Sequence, residues 1–165
     1  MNNNINNSKN IIIQGKQSND VFNIKKEERI RIGASDEEIS IRETTDLLST
    51  EDVICKKAIT IKINGYKYQD QKKNFKSQLP LISLQEVKQK LLDCDLKCFY
   101  CNKNVKVIYR LVRDPLQWTL DRIDNKKNHS NSNTLISCLH CNLKRRNINK
   151  DKFSFSQNLT IVKVD

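Results

Sequence analysis

Two Cys-x-x-Cys pairs constrain the fold of this chain more than any other feature of its sequence. They read "CFYC" and "CLHC" and contain Cys98, Cys101, Cys138 and Cys141. Because each pair can offer two thiolates to one tetrahedral ion, the two pairs together predict a structural zinc site with four sulfur ligands. A redox pair and buried free thiols are the alternatives. The segment between the pairs, residues 102–137, is longer than the roughly 15–20 residues of a common zinc ribbon, so we expect it to have a structure of its own.

The remaining cysteines and one histidine lie outside this predicted set. Cys94 could in principle replace one of the four ligands, but a half-buried, reduced thiol at the end of a helix is the favoured interpretation. Cys55 is also left as a free thiol. His140 lies between two predicted ligands, where an exposed position is favoured over a role as a further ligand.

The chain shows no targeting or membrane signal. No basic segment followed by an apolar run opens it, and it has no stretch of about 20 apolar residues, which a membrane span needs. We therefore expect a soluble, intracellular protein, cytoplasmic or nuclear, with no membrane partner. Thiols stay reduced in that compartment, which favours metal ligands over disulfides.

The N-terminal third of the chain has the pattern of a tail. It opens on the low-complexity stretch "MNNNINNSKN", and no sustained helical or strand period follows before about residue 50. The hydrophobic share of 37% is below the roughly 45–50% of globular domains. We therefore expect a disordered or marginal tail over residues 1–55 and one small α+β domain over residues 56–165. A regulatory or partner-binding arm is the alternative for the tail.

Apolar periodicity predicts the elements of the domain. Alternating residues in "AITIKINGYKY", residues 58–68, predict a short strand or hairpin. Ser83 followed by Glu86 forms a capping-box pattern, and the apolar residues after it predict a helix at residues 84–93. Three later apolar runs predict strands at residues 105–112, 117–123 and 134–137. Trp118 is expected in the core, and "NLKRRN" predicts the start of a last helix.

Positive charge is concentrated in the predicted domain. Residues 1–55 carry 7 Lys and Arg against 10 Asp and Glu, whereas residues 56–165 carry 23 against 9. A surplus of this kind is typical of nucleic-acid binding, because each cation placed against a phosphate releases condensed counterions. Ordinary solubility charge and a lysine bias of the genome are the alternatives. The run Lys144, Arg145 and Arg146 is expected to contact phosphates, and a solvated helix face is its alternative.

The segment between and after the cysteine pairs has a characteristic order of motifs. "LDRID" follows the first pair, an Asn precedes the apolar run "TLIS", and the second pair continues as "CLHCNLKRR". This order resembles the zinc-stapled endonucleases of the HNH family, which have a ββα-metal (His-Me finger) fold. The closest likeness is to the HNH proteins encoded by large DNA viruses, some of which also carry a stretch similar to "GYKYQD". The likeness covers roughly residues 64–147, with its motif core at residues 98–147.

The resemblance implies a role for each motif residue. In HNH enzymes one divalent cation is held by an Asp at the end of the first strand and by a His or Asn at the start of the helix. The resemblance assigns these roles to Asp121 and Asn142, with Mg²⁺ or a similar ion. Asn133 would be the loop Asn that fixes the geometry. The position of the usual histidine base holds Arg122, whose guanidinium cannot accept a proton. His129 lies in the loop between the predicted strands and is the candidate base, since an imidazole with a pKa of about 6.5 is largely neutral at neutral pH.

These residues also have structural interpretations. Asp121 could pair with a neighbouring cation, Asn142 could cap the last helix, and Asn133 could be a turn residue. Asp124 and Asn125 are favoured as turn formers over a second metal site.

Two functions follow as hypotheses. The first is a metal-dependent endonuclease that hydrolyses DNA, with duplex DNA as the expected substrate and no small-molecule substrate. It would hold a structural zinc ion and a separate catalytic ion. In it, His129 would deprotonate water and Arg122 would neutralise charge on the phosphate. The second is a zinc-stapled nucleic-acid-binding module whose catalytic set has decayed. Its main support is Arg122 in the position of the base.

Overall fold

A computed structural model describes residues 45, 46, 48, 52–75 and 79–159. Most of the predicted tail therefore lies outside the described residues. Those described form an α+β fold with one two-stranded sheet and four α-helices. None of these helices combines the length and the apolar character needed to cross a membrane.

Helix α1, Val53–Lys72, occupies the region in which a strand or hairpin was predicted, so that prediction is wrong. The isoleucines at alternate positions suggested a strand, but Ile59 is completely buried while Ile61 is half exposed. Burial therefore follows the helical period, with Cys55 and Ile59 on the inner face. Asp52 caps the helix by accepting a hydrogen bond from the backbone N–H of Cys55.

The folded region begins earlier than the predicted boundary at residue 56. That boundary falls inside α1, and Cys55 is part of the hydrophobic core. Leu48 is also buried in the same core. Residues assigned to the tail thus contribute to packing.

Helix α2, Leu84–Asp93, confirms the helix predicted from the capping box. The Ser83 side chain accepts a hydrogen bond from the N–H of Glu86, and the Glu86 side chain accepts one from the N–H of Ser83. Val87 and Leu91 are fully buried. Cys94 caps the C-terminal end as a half-buried free thiol, as expected.

The sheet consists of β1, Trp118–Arg122, and β2, Thr134–Cys138, paired antiparallel with Trp118 opposite Cys138. Both strands agree with the sequence prediction, and Trp118 is fully buried as expected. A short 3₁₀ helix, Asn131–Asn133, lies in the connecting loop. Helix α3, Leu139–Arg145, follows β2 without a break. Helix α4, Lys150–Asn158, then adds Phe153 to the core.

The strand predicted at residues 105–112 is absent from the described sheet. An isolated bridge joins Lys106 to Gln117 there. The free edge of β1 is instead covered by side chains of α1: the Tyr66 hydroxyl accepts a hydrogen bond from the N–H of Leu120, and Lys62 donates one to the carbonyl of Trp118. Because these groups satisfy the edge, α1 is fixed against the sheet.

Candidate metal centre and active site

The four cysteines predicted as zinc ligands meet in one cluster. Their Sγ atoms all lie within 4.8 Å of one another, and those of Cys101 and Cys138 are 3.9 Å apart. Ligand sulfurs of a tetrahedral zinc ion, with Zn–S bonds of about 2.3 Å, are about 3.8 Å apart. The cluster can therefore bind a metal ion such as zinc.

Three parts of the fold bring these sulfurs together. Cys98 and Cys101 lie in a tight turn after α2, in which the N–H of Asn102 donates to the carbonyl of Cys98 and Asn102 adopts a φ of 56°. Cys138 ends β2 and Cys141 lies in the first turn of α3. A bound ion would thus connect the segment after α2 to the sheet and to α3. His140 is exposed and is not in the cluster.

A second site is a cavity of about 530 Å³ between α1, β1 and α3. Four of the five predicted catalytic residues line it, namely Asp121, Arg122, His129 and Asn142. The fifth, Asn133, is not among the lining residues. The fold therefore brings residues of β1, of the following loop and of α3 to one place.

Asp121 is buried at the wall of this cavity, where two donors hold its carboxylate. The Tyr100 hydroxyl donates to Oδ2 and the Arg145 guanidinium donates to Oδ1, each at 2.6 Å. Burial raises the pKa of Asp121, although Tyr100 and Arg145 act in the opposite direction. Each carboxylate oxygen retains a second acceptor site for a cation.

Arg145 does not lie at the surface, where it was predicted. It was expected to contact phosphates with its two neighbours, but it is 1% exposed. Besides its ion pair with Asp121, it donates to the backbone carbonyls of Arg122 and Ile123. Arg145 is therefore part of the interior, and only Lys144 and Arg146 remain exposed.

Replacing Arg145 with Ala is expected to lower the free energy of unfolding by about 3–5 kcal/mol, because it leaves a buried carboxylate without its cation. Urea unfolding measures the change. Lys144→Ala removes an exposed cation one position earlier and should stay within about 0.5 kcal/mol of the wild type. Equal effects of the two substitutions would contradict the interior role of Arg145.

His129 is 3% exposed and is held by Asp70, a residue of α1. The imidazole Nδ1 lies 2.7 Å from Asp70 Oδ1, and the backbone N–H of His129 donates to Asp70 Oδ2 at 2.9 Å. The Tyr66 ring packs on the imidazole with 4.6 Å between ring centroids. Burial lowers the pKa of His129 in spite of the opposing effect of Asp70. A lowered pKa favours the neutral form of the imidazole.

Arg122 contributes positive charge to the cavity. Its guanidinium donates to the carbonyl of Lys127 at 3.2 Å and lies 4.9 Å from the centre of the Phe75 ring. Burial lowers the pKa of Arg122, yet a guanidinium remains protonated in proteins. Lys62 and Arg146 also line the cavity, which therefore suits an anionic ligand.

Asn142 is the second residue that was predicted to hold a catalytic ion. Its side-chain NH₂ donates to Thr119 Oγ1 at 3.0 Å. This orientation leaves the side-chain carbonyl oxygen as the acceptor of the amide. A carboxylate and an amide oxygen are the hard ligands that Mg²⁺ takes, with water or phosphate completing the shell, so the donor set fits such an ion.

Asn133 and Asp124 order the loop between the strands. The Asn133 side chain donates to the carbonyls of Asp124 and Asn128 and accepts from the N–H of Asp124. Asp124 in turn accepts from the N–H of Lys126, as a turn former does. Asn133 thus fixes the geometry of the loop that carries His129.

Sequence reasoning did not single out two residues of this site, Asp70 and Tyr100. A signal was present for each, since Asp70 ends the "GYKYQD" stretch and Tyr100 lies inside the first cysteine pair. Neither pattern reveals that the side chain reaches His129 or Asp121.

Known proteins offer no guide to this site. Comparison with protein-family models, with curated proteins and with solved structures finds no match to this chain.

Proposed function

We propose that this chain is a metal-dependent endonuclease of the HNH type, with a ββα-metal fold, that hydrolyses phosphodiester bonds in DNA. The observation that carries the proposal is the cavity in which Asp121, Arg122, His129 and Asn142 meet beside a four-cysteine cluster. The order β1, β2 and α3 is the arrangement that such a fold needs. The cysteine cluster would hold a structural zinc ion.

The residues of the cavity have complementary tasks in this reaction. Asp121 and Asn142 would hold a divalent cation such as Mg²⁺, which supplies positive charge to the phosphate and to the leaving oxygen. His129, neutral and buried, would accept the proton of the attacking water. Arg122 would bind the phosphate and neutralise its charge.

The charge around the cavity supports a polyanionic substrate. Arg122, Lys62 and Arg146 line it, and the carboxylate of Asp121 is balanced by its ion pair with Arg145. Residues 56–165 as a whole carry 23 Lys and Arg against 9 Asp and Glu. A phosphate backbone would therefore be attracted both to the cavity and to the surface around it.

Replacing both Lys144 and Arg146 with Ala is expected to weaken DNA binding and to flatten its salt dependence. Each lost phosphate contact reduces the slope of log affinity against log salt by about one unit, so the double variant should lose about two. Fluorescence anisotropy over a salt series measures the slope. Lys57→Ala, which removes an exposed cation of α1, is the control. An unchanged slope in the double variant would identify this pair as a solvated surface.

A plasmid-cleavage assay tests the proposal. Chelators would also strip the cysteine cluster, so divalent ions are removed by gel filtration and Mg²⁺ is then added back to protein that retains its zinc. Nicking or linearisation that requires Mg²⁺ and is lost in Asn142→Ala supports an endonuclease. Cleavage that persists in Asn142→Ala points to a contaminating nuclease. Parallel assays with RNA and branched DNA identify the preferred substrate.

A zinc-stapled nucleic-acid-binding module without catalysis is the second candidate. Arg122 favours it, because the usual base is missing from that position. Tight, salt-dependent DNA binding with no cleavage under any divalent ion would support this candidate and contradict the endonuclease.

A further inference from the structure

His129 and Asp70 form a pair that joins the loop between the strands to the C-terminal end of α1. They are 59 positions apart in the sequence, and both are buried. The carboxylate accepts a hydrogen bond from the backbone N–H of His129, and its other oxygen lies 2.7 Å from the ring Nδ1. The backbone carbonyl of His129 accepts from the N–H of Ile82 at 2.8 Å on the other side. Both main-chain polar groups and one ring nitrogen of His129 are thus fixed.

We propose that Asp70 is a positioning residue for His129, whose carboxylate keeps the imidazole proton on Nδ1 and leaves Nε2 to accept the proton of the attacking water. The catalytic consequence of this inference rests on the proposed function. The assignment of the tautomer is independent of it. An ionised carboxylate can only accept hydrogen bonds, so the ring nitrogen that faces it must carry the proton. The other ring nitrogen then has the free lone pair.

Other charged groups near the imidazole do not provide this function. Arg122 and Lys73 oppose protonation of His129, and the Tyr66 ring packs against it. Among these groups, only Asp70 makes a hydrogen bond to the ring. The preference for Nδ1–H therefore depends on this single carboxylate.

Asp70→Asn tests the assignment with little change in shape. An amide offers one acceptor oxygen where the carboxylate offers two, so one of the two donors of His129 would face an NH₂ group. The ring can relieve that clash by moving its proton to Nε2 and accepting at Nδ1. In this tautomer Nε2 already carries a proton. It can therefore no longer accept the proton of the attacking water.

The direct readout is long-range ¹H–¹⁵N NMR of the full chain at a pH at which both imidazoles are neutral. The chain has only two histidines, and His140→Gln assigns the pair of spin systems. We expect Nδ1–H in the wild type and Nε2–H in Asp70→Asn. Nε2–H in the wild type would overturn the inference without any variant, even if the substitution prevented folding.

The rate of DNA cleavage is the second readout. Asp70→Asn should slow cleavage by about 10²–10⁴-fold, the usual contribution of a positioned base. Asp70→Asn combined with His129→Ala should be no slower than His129→Ala alone, because the two residues act as one unit. Asp151→Asn removes an exposed carboxylate of α4 and should retain the wild-type rate.

The two proposals fail in different ways. If the wild-type chain never cleaves nucleic acid, the endonuclease proposal is refuted. The tautomer of His129 in that chain still decides whether Asp70 positions the imidazole. Wild-type speed and an unchanged Nδ1–H tautomer in Asp70→Asn would remove Asp70 from the site and leave the endonuclease intact.

Discussion

Cys138→Ser is expected to abolish zinc binding and to unfold the domain. Structural zinc sites contribute an apparent binding free energy of about 10–16 kcal/mol in small peptides, whereas whole domains are stable by only about 5–15 kcal/mol. Cys138 ends β2, and its Sγ accepts a hydrogen bond from the N–H of Cys141 at the start of α3. Ser can also cap a helix in this way. The substitution therefore removes a sulfur ligand and retains the cap.

Two measurements check this result, elemental analysis of zinc and thermal unfolding followed by circular dichroism. The wild type should contain about one zinc per chain and the variant close to none. Cys94→Ser is the matched control, since Cys94 is a half-buried thiol outside the cluster. A wild-type protein that is fully folded with less than half an equivalent of zinc would refute the structural metal site.

His129→Ala is expected to slow DNA cleavage by about 10²–10⁴-fold. His129 is the only imidazole in the cavity, since the other histidine, His140, is exposed between two cysteines of the cluster. Zinc content and DNA affinity should stay close to those of the wild type. His140→Ala provides the matched control and should cleave normally.

The pH profile separates a base from a structural residue. A base works only when it is neutral, so the rate should rise with pH through the pKa of His129 and then level off. Because burial lowers that pKa, the rise should occur below the ordinary value of about 6.5. This limb should vanish in His129→Ala. Cleavage at full speed with the wild-type profile would show that another group accepts the proton.

Features that depend on neighbours in the sequence were predictable. The cysteine pairs, the capping box of α2 and the two strands each carry a local pattern, and the structure agrees with all of them. Helix α1 was mispredicted because three isoleucines at alternate positions imitate a strand. Its true state depends on tertiary packing of its inner face, including Ile59, in the core.

Features that depend on contacts distant in the sequence were not predictable. Nothing near Asp70 indicates that its partner is His129, because that contact requires α1 to lie against the sheet. Arg145 is an intermediate case. It lies four positions after the buried Cys141, on the same face of α3, so helical periodicity could have separated it from its exposed neighbours.

The two residues that hold Asp121 lie inside or close to the two cysteine pairs. Tyr100 lies between the cysteines of the first pair, and Arg145 follows the second pair by one helical turn. If a bound ion holds the two pairs together, its release would therefore free both partners of the carboxylate at once. Under the proposed function, a partly zinc-depleted preparation should consist of fully active and fully inactive molecules. Its total activity should therefore fall in proportion to its zinc content. The affinity of the active fraction for magnesium should stay constant.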